Sequence, residues 1–234
     1  MSFWSSRRSE LVATGGDFEI INSSKEFQKE MNALWSNIRK NVSDSDLPRT
    51  ILFCSSSRDE GCSTITTGLS MFAARHSNKK VAIVDTQLEE LYLTDFLLEH
   101  YPELSMEEEA TSSSIGFREY TLTNRNLYFI QIINPGDMND SEESISSFES
   151  FLVYLKNTYD FIFFDSAPVL TAPVSNFLAN RLDHIIFVVS ANRFNQLKLV
   201  SAINSISCEK EKLLGIVMNK RRNALPGFLN KLIG

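Results

Sequence analysis

The sequence lacks most of the features that would place it outside ordinary soluble proteins. It has three cysteines in 234 residues, Cys54, Cys62 and Cys208. Their spacing matches neither a metal site nor a disulfide framework, so a reducing, cytosolic compartment is expected. Basic charge is in deficit: 23 Lys and Arg stand against 29 Asp and Glu, for a net charge of −6. That balance argues against a sequence-independent grip on nucleic acid, which needs a basic face. No stretch approaches the ~18 apolar residues of a membrane span. The opening MSFWSSRRSE has no apolar core of a signal peptide. The three histidines, His76, His100 and His184, form no recognisable ligand set.

What remains is the material of a folded domain, with 43% hydrophobic and 22% charged residues. Residues 1–24 are polar and read as a loose arm, and residues 25–234 as one domain. Ser24 is a candidate N-cap for a helix whose apolar positions Phe27, Met31, Leu34, Ile38 and Val42 recur at spacings of three and four. Strand and helix then alternate. Apolar runs at 50–55, 80–85, 126–133, 160–165, 184–190 and 213–219 read as strands. Helices are expected over 63–76, near 91–100, and over 144–157 and 196–206. This alternation predicts an α/β fold with a doubly wound, mostly parallel sheet covered on both faces. The acidic, serine-rich stretch 102–115, with Glu107-Glu108-Glu109, is expected to be a solvated loop.

One absence is specific. In ILFCSSSRDEGCST, residues 51–64, an apolar strand runs into a small polar loop, and Gly61-Cys62-Ser63-Thr64 opens a helix. A phosphate-binding P-loop ends there in Gly-Lys-Ser/Thr. Its backbone N–H groups cradle phosphates, its Lys reaches the β/γ-phosphates, and its hydroxyl holds Mg²⁺. Here a neutral thiol stands where the cation belongs. Two further strands end in carboxylates on the sheet edge where ligands bind, Asp85 after VAIV and Asp165 after FIFF. Asp165 is a candidate Mg²⁺ residue, or else a cap of the turn before Pro168. Asp85 either faces the loop or caps a helix. A nucleophilic role for Cys62 is disfavoured, because Asp59 and Glu60 sit beside it and no His partner is evident.

Taken together, residues from about 25 to 234 resemble the bacterial tyrosine kinases of capsule and exopolysaccharide biosynthesis, which are relatives of the Min/Par-type deviant P-loop ATPases. The family loop Thr-Ser-x-x-x-Gly-Glu-Gly-Lys-Ser-Thr corresponds to residues 54–64. The family's Asp-x-Asp-Leu-Arg corresponds to Asp85-Thr86-Gln87-Leu88-Glu89. The strand ending Asp-Thr/Ser-Pro-Pro after Tyr-Asp corresponds to Tyr159-Asp160 through Asp165-Ser166-Ala167-Pro168. Asn126–Ile133 with Pro135-Gly136, and the closing Gly215-Ile216-Val217-Met218-Asn219, add support.

The resemblance implies a nucleotide site built from Ser57, Asp59, Glu60, Gly61, Cys62, Ser63, Thr64 and Asn219. Ser63, Asp85 and Asp165 would hold Mg²⁺, and the ancestral catalytic positions would be Cys62, Asp85, Gln87 and Asp165. The departures fall on the chemistry. Lys is replaced by Cys62, the first loop Gly by Asp59, the second Asp of the middle motif by Gln87, and its Arg by Glu89. The family's Glu-x-x-Arg-x-x-Arg oligomerisation motif aligns with Lys29, Asn32 and Trp35, so all three differ. The tyrosine-rich tail is missing, since the last tyrosine is Tyr159.

A charge-assisted bond to phosphate contributes about 1.5–3 kcal/mol. At an effective dielectric near 20, two charges ~4 Å apart interact by about 4 kcal/mol. Losing the Lys therefore weakens nucleotide binding and removes charge stabilisation where phosphoryl transfer needs it. Arg58 is a candidate replacement cation.

The leading expectation is a protein without kinase activity that requires no cofactor and binds ATP or ADP with Mg²⁺ weakly at most. The resemblance implies a cytoplasmic location, peripheral to the inner membrane through a polysaccharide co-polymerase or export protein, with homo-oligomers a further option. An active ATP-dependent autokinase or ATPase is the alternative. A positioning ATPase that binds DNA or membrane is a third, disfavoured by the acidic charge. The basic-then-apolar tail, Lys220-Arg221-Arg222 and ALPGFLNKLIG, suits core packing or partner docking better than a membrane surface.

Overall fold

The computed structural model describes residues 24–42, 49–86, 104–112, 115–122, 126–133, 138–206 and 210–220. The expected arm over 1–23, the helix near 91–100, Gln87, Glu89, Pro135, Gly136, Cys208 and the tail from Arg221 onward lie outside these residues.

The elements in chain order are α1 (Lys25–Asn41), β1 (Arg49–Ser55), α2 (Cys62–His76), β2 (Val81–Asp85), β3 (Leu104–Ser112), β4 (Ile115–Leu122), β5 (Leu127–Ile132), α3 (Glu142–Thr158), β6 (Phe161–Asp165), α4 (Pro173–Arg181), β7 (His184–Ser190), α5 (Gln196–Ser205) and β8 (Leu213–Asn219). They build one eight-stranded sheet in the order β3-β4-β5-β2-β6-β1-β7-β8. From β5 to β8 neighbouring strands pair in parallel, while β3-β4 and β4-β5 are antiparallel.

Strand residues alternate between two cores, as period-2 geometry requires. Ile51, Phe53, Val81, Ile83, Phe161 and Phe163 face α1 and α2 on one side. Leu52, Cys54, Ala82, Val84, Ile162 and Phe164 face α3, α4 and α5 on the other. Because both faces are covered, the central strands read as unbroken apolar runs rather than alternating ones.

Helix α1 begins where its cap predicts. Ser24 Oγ accepts the Phe27 N–H at 3.1 Å, and Phe27, Met31, Trp35 and Ile38 form the buried stripe. The stripe lies on α2, where Gly68 leaves room for Phe27: a Cβ there would stand 2.4 Å from the ring. Helix α2 is therefore enclosed between α1 and the sheet, and Ile65 through Ala74 are all buried. Two of its buried hydroxyls bond backward along the helix, Thr66 Oγ1 to Cys62 O at 3.0 Å and Ser70 Oγ to Thr66 O at 2.7 Å.

One expectation needs correction, and two features were not anticipated. The acidic stretch is not a loop: Leu104–Ser112 is the edge strand β3, paired with β4 and setting Glu109 opposite Arg118. Charged residues suit an edge strand, where they discourage pairing with another chain, and the Glu run hides the alternation by which a strand is recognised. Helix α4 has no counterpart among the sequence-based expectations, because nine residues hold too few turns for periodicity to stand out. Trp35, aligned with an oligomerisation residue, is a core side chain 7% exposed, set edge-on to Phe161 at a 4.9 Å ring separation.

Candidate functional site

The chain leaves β1 for β2 on one side of the sheet and later leaves β6 for β7 on the other. The C-terminal ends of β1 and β6 are thus the point where connections diverge, and an open α/β sheet binds ligands there. One register row crosses it: Phe53 opposite Asp165, Asp165 opposite Asp85, and Asp85 opposite Gln131. Both carboxylates are buried, Asp165 completely. Thr86 ties the two strand ends by donating its N–H and Oγ1 to Asp165 O, at 3.2 and 2.7 Å.

The loop from Ser55 to Gly61 is held from within by Glu60. Its Oε2 accepts Ser56 N–H at 2.8 Å, Ser57 N–H at 2.9 Å and Ser56 Oγ at 3.0 Å, and its Oε1 faces Ser190 N–H at 3.4 Å. A carboxylate that gathers three backbone donors fixes the curl of the loop. Two positions bend left-handed, Asp59 at φ 68° and Gly61 at φ 89°, and Gly61 is the N-cap of α2. Gly61 also permits a close approach, since a Cβ there would meet Asn219 Nδ2 at 2.0 Å. Asn219 Nδ2 donates to Glu60 O at 2.9 Å, so the end of β8 is laced to the loop.

Cys62 occupies the first turn of α2, 8% exposed. Burial pushes its thiol pKa well up, and the nearby Asp165 carboxylate adds to the rise, while a backbone contact from Ser166 works the other way. The residue is therefore a neutral, protonated thiol, not a nucleophile.

Most of the residues expected at the site do meet here. Ser57, Asp59, Glu60, Gly61 and Cys62 form the loop, Ser63 and Thr64 are partly buried on the first turn of α2, and Asp85, Asp165 and Asn219 end their strands beside it. Glu60 turns its carboxylate into the loop rather than toward a ligand. Arg58 is exposed on the loop. Sequence reasoning missed Ser190, Thr86 and Lys220, whose ammonium donates to Asp59 O. The available signal was position: each lies at or just past a strand's C-terminal end, on the ligand edge.

Comparison with known proteins agrees with this architecture. No family model matches the chain. It is 26% identical over 195 residues to tyrosine-protein kinase YwqD of Bacillus subtilis, covering 80% of each chain. It is 23% identical over 215 residues to tyrosine-protein kinase CpsD of Streptococcus agalactiae, covering 86% of this chain and 88% of that one. The chain is thus similar over most of its length to bacterial tyrosine kinases. The VpsO kinase domain superposes with a TM-score of 0.66 at 16% identity, over 88% of this chain and 99% of that domain. The kinase domain of the Escherichia coli tyrosine kinase ETK superposes with a TM-score of 0.61 at 13% identity, over 84% and 77%. A plasmid partition protein from Borrelia burgdorferi shares the P-loop fold at a TM-score of 0.52, over 80% and 86%.

The loop fits the phosphates that this fold generally binds: its left-handed turns and the free-ended N-terminus of α2 keep the shape of a phosphate cradle. A nucleotide with Mg²⁺ would supply the transferable phosphoryl group and the charge that activates it. Ser63, Asp85 and Asp165 are the residues that would hold the metal. Among the described residues, no group of three His, Cys, Asp or Glu is gathered in the manner of a protein-only metal site.

Proposed function

We propose that this chain is a tyrosine-kinase-like P-loop protein that has given up phosphoryl transfer and acts as a partner or regulator of a membrane-embedded exopolysaccharide chain-length or export protein. The observation that carries this reading is Cys62: a buried thiol near the Asp165 carboxylate stands where the family places its catalytic lysine. Phosphoryl transfer is mostly electrostatics and positioning. Here the cation is missing from the first turn of α2. The protein would work on the cytoplasmic side of the inner membrane through its partner, with no nucleic acid involved. No helix among the described residues is long and apolar enough to cross a membrane.

The test is incubation of the purified chain with MgATP, followed by phosphotyrosine detection. The expected outcome is no incorporation. ATP-dependent autophosphorylation that disappears in Asp165→Ala would overturn the proposal. It would establish the second reading, a working autokinase, which is favoured by the kinase names of the homologues and by the retained pair Asp85 and Asp165.

A further inference from the structure

We propose that β8 is a dimerisation edge: a second copy of this chain adds its own β8 antiparallel to the first, joining the two eight-stranded sheets edge to edge. The contact makes no use of the phosphate loop, so it stands or falls apart from the loss of phosphoryl transfer.

The two edges of the sheet are built differently. β3 ends it on one side and β8 on the other. The sequence of β3 carries Glu107-Glu108-Glu109, and its register with β4 shifts between Met106 and Glu108. Charge and a bulge both guard an edge against a strand from another molecule. β8 reads LLGIVMN, without a charge or a proline. Its register shift against β7 falls between Ile185 and Ile186, opposite Leu213 and Gly215, and from Gly215 to Asn219 the pairing is unbroken. Among the described residues, no strand pairs with its outer side. A strand left so open is a ready template for one more strand.

The side chains of β8 decide what that strand is. Parallel neighbours in register point the same way. Ile216 pairs with Phe187 and Met218 with Val189, so both lie on the face covered by α3, α4 and α5, where Phe187 and Val189 are buried. Yet Ile216 is 48% exposed and Met218 53%: the helices stop short of the last strand. A two-fold axis normal to the sheet through Val217 keeps like faces together and runs the two β8 strands antiparallel. It sets Ile216 of each copy opposite Met218 of the other, so each exposed apolar side chain covers another. An extended peptide would hydrogen-bond the same edge, but the second copy also brings the side chains that cover Ile216 and Met218. Charge agrees with this pairing. Lys220, the first charged residue after the strand, falls on opposite sides of the axis in the two copies. The two positions stand about 20 Å apart along the strands, beyond the ~8 Å Debye length at physiological salt, so the copies meet without repulsion.

The test is sedimentation velocity of the full chain from nanomolar to high micromolar concentration, alongside Ile216→Glu and Met218→Lys, with melting temperatures to show that each variant is folded. Both side chains are half exposed, so neither substitution enters the core. The expected result is a parent that reaches twice the chain mass as concentration rises, and variants whose association is weaker by roughly tenfold or more, because each places a charge in a covered apolar contact. Mixing I216E with M218K restores the dimer, since the register sets the new carboxylate opposite the new ammonium. If one variant fails to fold, the other carries the comparison with the parent. The inference is overturned if the parent stays monomeric throughout, which would leave the edge to a strand of another protein. It is equally overturned if the folded variants associate as strongly as the parent, or if their mixture remains monomeric.

Discussion

At Asp59 the backbone holds φ 68°, the region that a glycine enters without cost. Asp enters it more readily than most residues, at about 1 kcal/mol, so an aspartate can hold this turn of the loop. Gly61 has no such latitude. With φ at 89° and Asn219 Nδ2 2.0 Å from the place of a Cβ, Gly61→Ala strains the backbone and displaces the bond from Asn219 to Glu60. The expected loss is about 1–3 kcal/mol of folding stability, read as a lower urea midpoint; an unchanged midpoint would mean that β8 and the loop are not joined as described. The identities of Cys62, Asp59 and Gly61 were legible in the sequence because a P-loop has fixed local spacing. The proximity of Cys62 to Asp165 was not, since nothing local places a residue of α2 near the end of β6.

Among the elements, α1 was the most legible and the β3–β4 hairpin the least. A capped 17-residue helix repeats its apolar stripe often enough to be seen, whereas β3 carries its charge at an edge where no apolar alternation is required. Even in α1 the use of one residue needed the fold. Trp35 fills the space between α1 and the sheet against Phe161, although the apolar stripe read from the sequence did not include it. Trp35→Ala is expected to cost about 3–5 kcal/mol, measured by chemical denaturation. A cost below ~1 kcal/mol, the range of an exposed side chain, would show that α1 does not seal this core.

Across the whole molecule, Asp183 joins three elements at the edge of the sheet opposite the site. Its carboxylate accepts Thr50 N–H and Thr50 Oγ1, both at 2.9 Å, at the start of β1, and the Lys156 ammonium at 3.0 Å from α3. Burial alone would raise its pKa, but the Thr50 and Lys156 interactions outweigh burial and hold it below the ordinary 3.8. A depressed carboxylate stabilises the fold fully above its unfolded value and loses that contribution as pH falls through the folded one. Asp183→Asn is therefore expected to cost about 1–3 kcal/mol near pH 7. The gap from the parent chain should narrow toward about pH 3, as followed by denaturation at each pH. A gap that stays constant with pH would remove the charge from this account.

The sequence by itself determined the alternation of strands and helices, the parallel sheet and the place of the phosphate loop, because each is written in spacings of a few residues. Only the tertiary structure decided that Glu60 braces the loop, that Cys62 is buried near Asp165, and that a lysine arrives from 161 residues away. Contacts of that range depend on the order of strands in the sheet, which sets β8 two places from β1 and leaves no trace in the local pattern of either segment.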